Sequence, residues 1–72
     1  MRYMVVIEKS NTSYGDFVPD LPGCIAVAES ETEVVELMTE AIQFHLADLK
    51  TTGVFIPQAM SQGVFVDIPS FV

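Results

Sequence analysis

The sequence predicts an α+β fold, a two-layer sandwich in the order β-β-β-α-β, with one helix on a mainly antiparallel sheet. Three observations lead there. Short runs rich in β-branched and aromatic residues come first, separated by turn-forming residues. A long run with apolar residues at helical spacing follows, opened by a helix start signal. A last alternating run, VFVDI, lies beyond a connector containing proline and glycine. The 72 residues leave room for one domain, 1–72.

The first strand is RYMVVIEK (2–9), bounded by the turn-prone SNTS. Its apolar residues occupy both alternating faces, Tyr3/Val5/Ile7 and Met4/Val6, so both sides are expected to be covered. YGDFVP (14–19) is the second strand, with Phe17 on one face and Tyr14 and Val18 on the other. Pro19 cannot donate to a ladder and therefore marks a strand end or edge. CIAVAE (24–29) is the third, setting Ile25/Val27 against Cys24/Ala26/Ala28. Between them, Leu21-Pro22-Gly23-Cys24 has the residue order of a type II turn. Proline supplies φ near −65° and glycine the positive φ after it.

Ser30-Glu31-Thr32-Glu33 fits a capping box, in which Ser30 accepts from the Glu33 amide and the Glu33 carboxylate returns to Ser30. Val34, Val35, Met38, Ala41, Ile42, His45, Leu46 and Leu49 then form one stripe, opposite Glu36, Glu40, Gln43, Ala47 and Lys50. Lys50 suits a last turn and Gly53 a C′ position, so the helix is expected over about 31–51. Leu37 and Phe44 fall on the flank of the stripe, placed to extend the core or to touch another molecule. Residues 64–68 are expected to be the fourth strand, with Val64, Val66 and Ile68 on one face. A four-stranded sheet is roughly 15–20 Å wide and a helix covers about 10 Å. One helix leaves a sheet face uncovered, which predicts a homodimer or a larger assembly.

Composition narrows the function. Half of the residues are apolar, yet no apolar run approaches the ~20 residues of a membrane span, and no secretory signal opens the chain. The single cysteine, Cys24, excludes an intrachain disulfide and a thiolate metal cluster, which favours a cytoplasmic setting. Ten acids against three bases give a net charge of −7, which repels nucleic acid and attracts a basic partner.

Catalytic signals are weak. His45 lies in the apolar stripe, where a satisfied core or interface histidine is the simpler reading. Its helical neighbours one turn away, Ala41 and Leu49, ligate nothing. Cys24 with His45 has the composition of a nucleophile–base pair, but strand alternation explains Cys24 as a packed residue. Glu33, Glu36 and Glu40 read as a solvated helix face. The one enzyme alternative is a metal-dependent nuclease using Glu8, Asp16 and Asp20, since two-metal sites need converging acids. No cofactor or metal is expected.

YGDFVPDLPGC, then a capped helix ending AIQFHLADL, then GVFIP, resembles the HicB antitoxin family over residues 3–57. The resemblance implies a partial RNase H-like fold without the nuclease's acids. It also implies a role in a type II toxin–antitoxin system: binding and blocking HicA, a small basic ribonuclease that cleaves mRNA. Asp20, Pro22, Gly23 and Cys24 match the family's turn, Ser30 its cap, and Ala41, Ile42 and His45 its helix. The chain departs from the family in having Ala28-Glu29 for Gly-Asp, and Val34 for a small alanine. Many members continue into a DNA-binding domain. Here only VFVDIPSFV remains, so that domain and direct operator binding are not expected. The turn accounts for Pro22 and Gly23 and the cap for Ser30 and Glu33, leaving Tyr14, Asp16, Asp20 and Glu29 as candidate partner contacts. The remaining alternative is a solitary homologue with a structural or ligand-binding role.

Overall fold

The computed structural model describes residues 1–70. It contains three strands, β1 (Val6–Lys9), β2 (Tyr14–Phe17) and β3 (Ile25–Ala28), and one helix, α1 (Glu31–Thr52). Short connections force antiparallel pairing. The sheet order is β1-β2-β3, with Val6 opposite Phe17, Lys9 opposite Tyr14, and Tyr14 opposite Ala28.

The stretch 18–24 folds as two successive turns. The Leu21 amide donates to the Val18 carbonyl at 3.0 Å, and the Cys24 amide to the Leu21 carbonyl at 3.1 Å. Gly23 takes φ +86°, as the type II order requires. This reversal also explains why β1 is shorter than the apolar run around it. β2 ends at Phe17 and its chain turns away at Val18-Pro19, so residues 2–5 find no ladder partner.

The helix begins where expected and ends one residue later. Ser30 is extended (φ −136°, ψ 158°) and its hydroxyl accepts from the Glu33 amide at 3.1 Å. Among the described residues, no return bond runs from the Glu33 carboxylate to Ser30. At the other end Gly53 takes φ 76°, its amide donating to Lys50 and the Val54 amide to Leu49, a Schellman close.

Val18, Leu21, Cys24 and Met38 form the core, with Val34 and Ala28 also buried. The Cys24 thiol lies 3.7 Å from the Met38 sulfur. Ala41, Ile42 and Leu46 continue the helix contact, whereas Val35, expected in the stripe, is exposed. The helix covers one sheet face. On the other, Ile25 and Val27 are about two-thirds exposed, beside Phe17.

The fourth strand is a correction: residues 64–68 join no ladder, and the sheet has three strands. The connector before them is held elsewhere. The Tyr3 hydroxyl donates to the Pro57 carbonyl, and the Asp20 carboxylate accepts from the Met60 and Ser61 amides at 2.9 and 2.8 Å. Gly63 then comes against the Met4 sulfur. A cleft of about 480 Å³ opens between residues 63–65 and residues 4–7 of the β1 region. Ladder bonds need strands about 4.8 Å apart, and the segment stands off instead.

Candidate functional site

The strand period decides where the acids go. Paired residues share a face, so Asp16, opposite Ile7 and Ala26, points to the helix side. Glu8, opposite Gly15, points to the other side. Asp16 is 5% exposed, and among the described residues neither carboxylate oxygen has a hydrogen-bond partner. Burial pushes its pKa up; the Ala26 backbone amide pulls weakly the other way without making a hydrogen bond. Asp20 is the reverse case. Its carboxylate accepts from the backbone amide and hydroxyl of Ser61 and from the Met60 amide, and these bonds hold its pKa below the usual carboxylate value.

Tyr14 and Glu29 sit at the opposite end of the strands from Asp20. Tyr14 is half-buried opposite Ala28, with the Lys9 ammonium 5.7 Å over its ring, and Glu29 is exposed just before the cap. The four candidate contact residues therefore do not form one patch. The nuclease alternative loses its geometry as well. Glu8 and Asp16 occupy opposite sheet faces and Asp20 is engaged with the connector. No three His, Cys, Asp or Glu side chains converge to hold a metal among the described residues.

A different surface brings apolar and acidic groups together. A groove of about 460 Å³ runs between the edge of β3 and the helix. Its apolar wall includes Ile25, Leu37 and Phe44, and Glu40, Asp48 and His45 lie along it. Phe44 is 79% exposed and Ile25 68%. The sequence signal for this groove was the pair Leu37 and Phe44 on the flank of the helical stripe. Nothing local pointed to Ile25, because whether a strand face is covered depends on the helix above it. Cys24 lines the groove floor but is buried. Burial, then the nearby Asp16 charge, pushes its thiol pKa up, away from the thiolate that nucleophilic chemistry requires.

The family model described as the HicB-like antitoxin of bacterial toxin–antitoxin systems matches residues 3–72. The chain belongs to the HicB-like antitoxins. Its relatives include a protein of Haemophilus phage HP1, described as an uncharacterized 14.9 kDa protein in the rep-hol intergenic region. That protein is 30% identical over 71 residues, covering 99% of this chain and 53% of the phage protein. This HicB-like chain thus spans about half the length of that relative. A UPF0150 protein of Helicobacter pylori is 42% identical over 50 residues, covering 69% of each chain. A UPF0150 protein of Archaeoglobus fulgidus is 43% identical over 47 residues, covering 64% of this chain and 68% of its own. No solved structure gives a significant match. Among the described residues, the HicB-like chain has no helix long and apolar enough to cross a membrane.

Proposed function

We propose that this chain is the neutralising half of a toxin–antitoxin pair, a non-enzymatic module that binds and blocks a small basic HicA-type mRNA ribonuclease in the cytoplasm. The partial RNase H-like arrangement and self-association belong to the same reading. The observation that carries the contact is the groove between β3 and the helix. Its exposed Ile25 and Phe44 offer the apolar anchor a protein interface needs, and Glu40 and Asp48 offer the charge a cationic RNA-binding surface would meet. A net charge of −7 speeds the encounter with such a partner.

The test is inhibition of RNA cleavage by the product of the gene adjacent to this chain's own, which this reading expects to be a small basic ribonuclease. The chain is expected to bind it and stop cleavage. Phe44→Glu, a change at an exposed helix position, is expected to weaken binding by about 2 kcal/mol, roughly 30-fold, with far-UV circular dichroism unchanged. Failure to inhibit that enzyme, or Mg²⁺- or Mn²⁺-dependent RNA cleavage by the pure chain itself, overturns the reading.

A further inference from the structure

We propose that residues 64–68 are an exchanged strand: in a dimer of this chain, each copy lays this segment along the free outer edge of β1 in the other copy. The inference deepens the self-association in the reading above and does not depend on the toxin.

Segment, edge and uncovered face all point to a second copy. VFVDI has the alternation of a strand and lacks proline or glycine, yet it pairs with nothing. Val64, Val66 and Ile68 are each about two-thirds exposed or more, and Phe65 is fully exposed. Among the described residues β1 bonds only to β2, which leaves a row of backbone donors and acceptors open on its other side. The chain's own segment reaches the flank of that edge at Gly63 and leaves a cleft there. It is held off because residues 57–61 are tied down by Tyr3 and Asp20. A segment arriving from another copy is tethered to that copy and not to the accepting one, so the tether does not fix its distance from the accepting edge.

The shape agrees. A compact chain of this length has a radius of gyration of about 11 Å. The observed value is 14.6 Å, with a longest extent of 52 Å. The segment's own apolar side chains, Val64, Phe65, Val66 and Ile68, are largely exposed in the single chain, and pairing with a second copy would begin to cover them. The β3 edge is the less suitable acceptor because Ile25 there already lines the groove beside the helix.

The test uses Val66→Pro, which removes a ladder donor at a largely exposed position of the single chain. By light scattering, the unaltered chain is expected at twice its 7.9 kDa mass and Val66→Pro at 7.9 kDa, with the helical circular-dichroism signal unchanged. Hydrogen exchange on the unaltered chain is the second readout. Amides at 64–68 and along residues 4–7 are expected to gain protection as concentration rises. A chain that is monomeric at every concentration overturns both this inference and the self-association behind it. A dimer that survives Val66→Pro, or one whose 64–68 amides exchange freely, overturns the strand exchange and leaves self-association through another surface.

Discussion

Asp16 and Asp20 are the same side chain on either side of a strand end, and their surroundings push their pKa values in opposite directions. Asp16 is buried without a partner among the described residues; Asp20 is hydrogen-bonded to Met60 and Ser61. The linkage signs follow. A raised folded-state pKa means that Asp16 binds its proton more tightly in the fold than in the unfolded chain. Its ionisation therefore lowers stability as pH rises from the unfolded value of about 4 through the folded value. Asp20, with a lowered pKa, contributes stability above the unfolded value and loses it as pH falls through the folded one. Asp16→Ala is accordingly expected to stabilise the chain at pH 7 by about 1–3 kcal/mol, the cost of an unsatisfied buried charge. The gain should shrink toward zero as pH is lowered to about 4. Urea melts of both proteins across pH check this, and a loss of stability at pH 7 would show that Asp16 has a structural partner. Neither aspartate's role was legible locally: strand alternation put Asp16 with Tyr14 and Val18, but not that this face lies under the helix.

Elements were more readable, because their ends are set by neighbours in sequence. The Ser30 cap, the left-handed Gly53 and the Pro22-Gly23 turn stand where residue chemistry puts them. Gly23 gives the sharpest check. A Cβ added there meets nothing within 4 Å, so Gly23→Ala tests backbone strain without a clash. At φ +86° it is expected to cost about 1–2 kcal/mol, read as a lower thermal midpoint with no change of fold. An unchanged midpoint would mean that the turn relaxes freely. β1 and the last strand were less legible. A ladder needs two partners, and β1 stops where β2 turns at Pro19. Residues 64–68 have strand composition, but they stand beside the β1 edge across a cleft and join no ladder with it.

At the scale of the molecule, one helix on a three-stranded sheet leaves Phe17, Ile25 and Val27 at the surface. Apolar burial then favours a second chain, while the charge of −7 on each copy opposes self-association and favours a basic partner. Salt separates the two contacts, because it screens like and unlike charges alike. Raising ionic strength from about 10 mM to 150 mM, which shortens the screening length from about 30 Å to 8 Å, is expected to strengthen self-association and to slow encounter with the basic ribonuclease. Sedimentation and stopped-flow measurements read the two. Self-association that weakens with salt would place an ion pair, not apolar surface, at its centre.

Composition, turn chemistry and hydrophobic spacing by themselves determined the order of the first three strands and the helix, the 18–24 reversal, the helix caps and an acidic chain with more apolar surface than one helix can hide. Those features depend on neighbours along the chain. Only the tertiary structure decided that Asp16 is buried, that Asp20 clasps residues 60 and 61, that Phe44 and Ile25 share a groove, and that residues 64–68 stand apart from the sheet. Each of these depends on which distant residues meet, and a strand-forming segment has no side chain that specifies whose edge it will complete.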